Sequence, residues 1–373
     1  NTAVGALALD ANTTANENTA VGYNAAGANT TGAANTAVGH ASLDSNTTGA
    51  TNVAIGAQAL TSNTTASDNV AVGYACLRDN STGANNTAAG KGALLLNTTG
   101  GQNVAVGTNA LDSNTTADSN TAVGYGCLGA NTTGAENCAA GRQTLDANTT
   151  GSYNTAFGTG ALGANTTSSQ NTAVGRDALF NNTGEQNTAV GYNCLDANTS
   201  GIYNTAIGRS ALGKNTTASE NTAVGRNALL ENTTGNDNTA VGFEALSQNT
   251  TVNNNTAVGH QALKANTTGT RNTAVGTRAQ DVATTANDNV ACGYNALGSC
   301  TTGAENTTVG SAAGTAITTA THCVAIGYVA LNENQTSSNI VAIGNECLQK
   351  NTAAENAAVG FQALEENTTG TRN

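Results

Sequence analysis

Proline, methionine and tryptophan are absent from the 373 residues, and only 10% of the chain is charged. Disordered chains are rich in charge and proline, so these shortages argue against disorder. Aromatic residues make up 3%, which does not suit a large globular core. Lys and Arg number 12 against 24 Asp and Glu. With no basic stripe, nucleic acid is not an expected partner. No run of 18 apolar residues is present, so no stretch reads as a membrane-spanning helix. No signal peptide is visible either. The chain begins on a repeat boundary without Met and ends on Asn373, the first residue of a further copy, and so reads as a window of a longer protein.

Signatures of chemistry are equally scarce. His40 and His260 fall at a variable position, and His322 lies in an irregular stretch. There is no His-x-x-x-His pair, nucleophile elbow or phosphate loop, so no catalytic, cofactor or metal site is expected. The calcium-binding Gly-Gly-x-Gly-x-Asp repeat is missing, and no column of Asp exists. The eight cysteines form no framework. Cys76, Cys127, Cys194 and Cys347 occupy a position otherwise held by Ala, and read as small buried hydrophobes. Cys76 and Cys127 are three repeats apart, about 14 Å if each repeat rises ~4.8 Å, too far for a disulfide.

What is present is a short unit, Asn-Thr-Ala-Val-Gly, as at Asn120–Gly124. It occurs in 22 copies whose glycines run from Gly5 to Gly360 at intervals of 17 residues. Two intervals, Gly175 to Gly191 and Gly344 to Gly360, are 16. A fixed short period marks a repeat architecture. Numbering each copy from its Asn, position 2 is Thr or Val and position 4 is Val or Ile, a period-two β-branched pattern that predicts a short strand. Positions 2 and 4 are expected to face a dry interior. Position 3 is Ala in 21 of 22 copies. On that reading the Ala column faces outward, and its constancy requires something packed closely against it. Position 5 is always Gly, which implies a positive φ or a close backbone approach. Positions 6 and 7 vary and read as outward turn residues. Position 9 is Leu in 19 of 22 copies and is expected to stack on the Leu of the next coil. Position 12 is Asn in 19 of 22, usually followed by Thr-Thr-Gly, and predicts an internal Asn ladder.

No such unit can bury anything alone. Stacked copies can, so the expected fold is all-β: a parallel β-solenoid of 22 coils of about 17 residues, one array over 1–373 and roughly 105 Å long at ~4.8 Å per coil. Copies 17 to 19, where Gln280 and Gly314 replace Leu and Ala283, Cys300 and Ile317 replace Asn, are expected to deviate locally.

The Val-Ala-Ile-Gly forms at 53–56, 324–327 and 341–344 resemble the head repeats of trimeric autotransporter adhesins, the YadA-type β-roll. The fuller Asn-Thr-Ala-Val-Gly…Ala-Leu…Asn-Thr-Thr-Gly form is similar to repeats of phage tail-fibre and bacterial surface-fibre proteins. The resemblance implies a left-handed roll, an extracellular, cell-surface or virion location, and three chains around an axis. The expected function is thus a structural fibre or adhesin shaft or head, with self-association as a homotrimer or an end-to-end filament and a host or environmental surface as a further partner. Ala20, Ala37, Ala54, Ala71, Ala105 and Ala122 would form the interchain packing stripe. The alternative is an ice- or surface-binding solenoid using Thr columns. Asn-Thr-Thr is also a formal N-glycosylation sequon, but an internal Asn cannot carry sugar. O-linked sugar on outward Thr13 and Thr132 is the form expected instead.

Overall fold

The computed structural model describes residues 1–373 and divides them into two compact units, residues 1–186 and 187–373. Each unit is a parallel β-solenoid without helices. The first carries strands β1 (Thr2–Val4) to β11 (Thr172–Val174), the second β12 (Thr188–Val190) to β22 (Ala357–Val359). Every strand is three residues long, at positions 2 to 4 of its coil. Within a unit each strand pairs in parallel with the next, in register: Thr121 opposite Cys138, Ala122 opposite Ala139, Val123 opposite Ala140. Both 16-residue copies are accommodated, and the first of them, residues 171–186, closes the first unit.

After the strand the backbone turns through an unusual series. Position 5 glycines have φ between 125° and 142°. A Cβ added to Gly107 would meet the carbonyl oxygen of Gly124, one coil on, at 2.5 Å. Both reasons for an invariant Gly therefore hold. Positions 7, 9 and 17 are left-handed as well, and mostly not Gly: Leu111 and Leu128 sit at φ 53°, Glu136 at φ 56°. Left-handed geometry at a bulky residue costs about 1–3 kcal/mol and persists only where the surroundings enforce it. Here the enforcement is stacking. The amides of Leu111 and Leu128 donate to the carbonyls of Cys127 and Thr144 in the following coils, at 2.9 and 3.0 Å. Leu111, Leu128 and Leu145 line up in one fully buried interior column, as the repeat pattern predicts.

The strand faces are the reverse of the expectation. Ala20, Ala37, Ala54, Ala71, Ala105 and Ala122 are fully buried inside the single chain, whereas Val21, Ile55, Val72, Val106 and Val123 at position 4 are exposed. The Ala stripe is an inner wall, not an outer packing face. The reason is the thinness of the coil: beneath the strand lie Leu and two Asn columns, leaving depth for a methyl group and nothing larger.

Two of the interior columns are amide. The position-12 ladder is present: Asn131 Nδ2 donates to Asn114 Oδ1 at 3.2 Å, and Asn148 Nδ2 to Asn131 Oδ1 at 2.8 Å. A second ladder, unanticipated, runs through position 1. The Asn137 backbone N–H donates to Asn120 Oδ1 at 2.9 Å. The two ladders meet at one acceptor per coil: Gly134 O takes a hydrogen bond from Asn120 Nδ2 and another from Asn131 Nδ2, both at 2.9 Å. A carbonyl has two lone pairs, so this pairing saturates it. Cys76, Cys127, Cys194 and Cys347 are buried as expected, and all eight cysteines are free thiols.

Copies 17 to 19 keep the interior filled by exchange. Gly314 removes a Leu, and the space is taken from two sides: a Cβ at Gly314 would lie 2.9 Å from both Thr308 Cγ2 and Ile317 Cδ1. Thr308 is the one non-Ala at position 3, and Ile317 replaces a ladder Asn. In copy 17 the amide moves rather than vanishes, since Gln280 Nε2 donates to Asn272 Oδ1 at 3.3 Å.

Candidate interaction surface

The outward face of each sheet is built from positions 2 and 4. Two outward side chains on each of 22 strands give 44 positions, and none is charged. Position 4 holds Val, Ile, Phe157, Ala or Cys292; position 2 holds Thr in 14 copies and Val in six of the remaining eight. Ile55, Val106, Val123, Phe157 and Ile207 are each about two-fifths exposed. A sheet face meant only for solvent would carry Lys and Glu among such positions; here a Thr and Val column runs beside a column of half-exposed apolar side chains with no charge between them, which makes the face a candidate interaction surface.

Two rims of opposite character border this face. On the downstream side, position 6 carries Lys91, Arg142, Arg176, Arg209 and Arg226 with seven of the eight copies of Tyr or Phe between Tyr23 and Tyr328, and no carboxylate in any coil. Neighbouring rings and cations stack along it: Tyr23 on His40 at 5.5 Å, Arg226 over Phe243 at 4.5 Å, Phe243 on His260 at 5.1 Å. On the upstream side, the last residue of each coil supplies Glu17, Asp68, Glu136, Glu220, Asp237, Asp288, Glu305 and Glu355. Its two arginines are neutralised within the same column, Arg271 by Asp288 and Arg372 by Glu355, both at 2.6 Å. By contrast, Lys91, Arg142, Arg209 and Arg226 of the downstream rim form no ion pair within the chain.

The Thr positions differ from expectation in detail. Thr13 Oγ1 donates to Thr30 O at 3.0 Å, and Thr132 Oγ1 to Thr149 O at 3.0 Å, so position-13 hydroxyls are tied into a ladder between coils. Thr13 is exposed and Thr132 half-buried; the neighbouring Thr14 and Thr133 are both exposed. Asn131 and Asn266 are fully buried, which removes those sequons as glycan sites. No group of three or more His, Cys, Asp or Glu side chains converges to hold a metal ion. No helix is long and apolar enough to cross a membrane.

Position 1 is the functional-scale feature that sequence reasoning passed over. Asn occupies it in 20 of 22 copies, more often than position 12, and its replacements Cys323 and Ile340 are both buried. That combination signals an interior amide. No family model and no curated protein matches the chain.

Proposed function

We propose that the chain is a structural, self-associating β-solenoid, the shaft or head of an extracellular fibre at a cell surface or on a virion tail. The observation that carries this reading is the charge-free outward sheet face. In one unit, eleven strands at ~4.8 Å and a face about 15 Å wide amount to roughly 800 Å² per partner, the standard size of a stable interface. Copies of the chain associate laterally through that face, as a homotrimer or a smaller assembly, in place of the Ala stripe. Burying half-exposed β-branched side chains at ~25 cal/mol per Å² supplies the drive.

The test is the mass in solution. Light scattering at micromolar concentration gives an oligomer for the unaltered chain. The triple variant Ile207→Lys, Val224→Lys, Val241→Lys gives a monomer with unchanged circular dichroism. An unaltered chain that stays monomeric at every accessible concentration refutes the proposal. A second reading is favoured by the outward Thr column at position 2: a surface- or ice-binding face. Ice shaping by the unaltered chain that is lost on Thr205→Lys, Thr222→Lys would support that reading over the first.

A further inference from the structure

Two coils of the first unit lack the side chains that fill the turn after the strand. Positions 7 and 10 are both Gly in only two of the 22 copies, Gly126 with Gly129 and Gly160 with Gly163. These are alternate coils, about 9.6 Å apart at ~4.8 Å per coil. Each leaves a notch in the surface, of about 230 Å³ at the first pair and about 280 Å³ at the second. The backbone does not require these glycines. Gly126 sits at φ 60°, but Gln143 holds φ 51° at the same place one coil on. Packing does not require them at the first notch either. Apart from chain neighbours, a Cβ on Gly126 would meet nothing nearer than Gln143 Cγ at 3.8 Å, and one on Gly129 nothing nearer than Gly126 O at 3.4 Å. Side chains fit there, so what the two glycines supply is the space itself.

We propose that the first notch binds a sugar ring, and that the two notches together hold alternate units of an extended oligosaccharide. This goes beyond lateral association and does not depend on it, since positions 7 and 10 lie in the turn and not on the outward sheet face. The walls of the first notch carry the chemistry. Asn109 and Asp112 line it from the preceding coil, Gln143 and Asp146 from the following one, with the exposed ring of Tyr125 beside them. Amides donate and accept, and carboxylates accept, which is the complement of hydroxyls on both edges of one ring. Asp112 and Asp146 are half-buried, and neither has an ion-pair partner in the chain. Burial pushes both carboxyls upward, and donated hydroxyls relieve that cost by favouring the ionised form.

The second notch shares Gln143 and Asp146 as a wall and adds Phe180. The Phe180 ring is exposed and leans over Gly163, where a Cβ would lie 2.7 Å from its Cε2. Aromatic residues are 3% of the chain, and position 10 is aromatic in this copy alone. Each notch thus sets an exposed ring beside a few placed polar groups, which suits a ligand with hydroxyl edges and C–H faces. Other ligand classes match less of the site. No three carboxylate, thiol or imidazole groups converge there to hold a metal ion. An anion is repelled by both carboxylates. An organic cation answers the carboxylates but leaves the two amides without a role.

The experiment presents the full chain to an array of neutral oligosaccharides of the gluco, galacto and manno series in increasing length. Titration calorimetry follows on the members retained. Retention that strengthens with length is expected. Gly126→Asn/Gly129→Leu fills the first notch with the pair that coil 221–237 carries as Asn227 and Leu230, residues this turn already accommodates. That variant should bind about tenfold more weakly or worse, since a hydrogen bond to a charged acceptor is worth about tenfold in affinity. Phe180→Ala should weaken the longer members and spare the shortest. Unchanged circular dichroism confirms that both variants keep their fold. Retention of no neutral sugar overturns the inference, and so does equal binding by the filled variant. Retention of hexane-1,6-diamine in place of sugars overturns it as well, by making the notch a cation site. None of these outcomes touches the mass of the unaltered chain, which tests lateral association separately.

Discussion

Removing one Asn from the position-12 ladder should cost far more than removing its neighbour as well. Asn131 makes three ladder contacts: to Asn114 Oδ1 at 3.2 Å, to Gly134 O at 2.9 Å, and from Asn148 Nδ2 at 2.8 Å. Asn131→Ala leaves Gly134 O its bond from Asn120, but strands Asn114 Oδ1 and one Nδ2 proton of Asn148 in a fully buried column. Each buried unsatisfied group costs about 1–3 kcal/mol. The native chain shows a partial remedy where the ladder stops, since Asn266 Oδ1 turns to accept the Gly269 N–H at 3.1 Å. With that remedy at Asn114, the single substitution should cost about 3 kcal/mol. Adding Asn148→Ala creates no further ladder end. The stranded donor merely passes to Asn165, whose Nδ2 donates to Asn148 Oδ1 at 3.1 Å in the native chain. The second change should therefore add only about 1 kcal/mol, a coupling in the range expected for contacting residues. Asn131→Ala with Asn63→Ala, four coils apart, should be additive within ~0.5 kcal/mol. Native-state hydrogen exchange of the amides in coils 103–119, 120–136 and 137–153 is the suitable assay, because a repeat array opens in parts and a single unfolding free energy is not defined for it. Additivity of the adjacent pair would refute a ladder whose cost resides in its ends.

Two further predictions follow from burial. Ala122→Val inserts methyl groups into a closed wall and should cost about 1–3 kcal/mol, whereas Val123→Thr on the outward face should stay within ~0.5 kcal/mol; denaturant midpoints in the opposite order would restore the original assignment of the faces. Burial pushes the thiols of Cys76, Cys127 and Cys194 up to about 12 from an ordinary 9.0. The folded value lies above the unfolded one, so the stability these thiols contribute is intact below pH 9 and is lost as pH rises towards 12. Denaturant midpoints should fall over that window, and an alkylating reagent at pH 8 should modify exposed Cys292 first and these three only on unfolding.

The repeat pattern carried most of the fold. Gly at position 5, Leu at position 9 and Asn at position 12 were legible because each is nearly constant and each has one physical use in a stacked coil. The strand faces were misread because three residues between Asn and Gly offer no long alternation to orient. Size then misled: β-branched side chains look like core, and Ala looks like a surface flattened for contact. The corrective signal lay in the variation. Position 4 accepts Ala89, Ala140, Val, Ile, Phe157 and Cys292, a range no close-packed interior tolerates, while position 3 admits only Thr308 besides Ala. The left-handed backbone at positions 7 and 9 was hidden for a different reason. Position 7 does hint at it, with Asn24, Asn109, Gly92, Gly126 and Gly160. At position 9 the Leu column masks it, because burial between coils overrides the local preference of the residue.

The irregular copies show what the interior will and will not trade. A single missing ladder Asn would create two ends; three in succession, Ala283, Cys300 and Ile317, create the same two. Their clustering is what an end-cost predicts, and scattered losses would have multiplied it. Cys300 partly keeps the lost contact, with its thiol 3.4 Å from Gly303 O, the oxygen that the ladder amide would have reached. The 16-residue coil 171–186 illustrates the opposite case: the deletion falls in the Asn-Thr-Thr arm, and Asn165 Oδ1 in the coil before it is left buried without a donor. Losses from the position-12 ladder are thus grouped, small buried residues exchange singly, as with Ser42, Cys76 and Thr144 in the column otherwise held by Ala, and position 6 and the last residue of each coil change freely from copy to copy. The two rims flank every strand from opposite sides, and around Thr222–Val224 their variation places Glu220 on one edge of the outward face and Arg226 on the other.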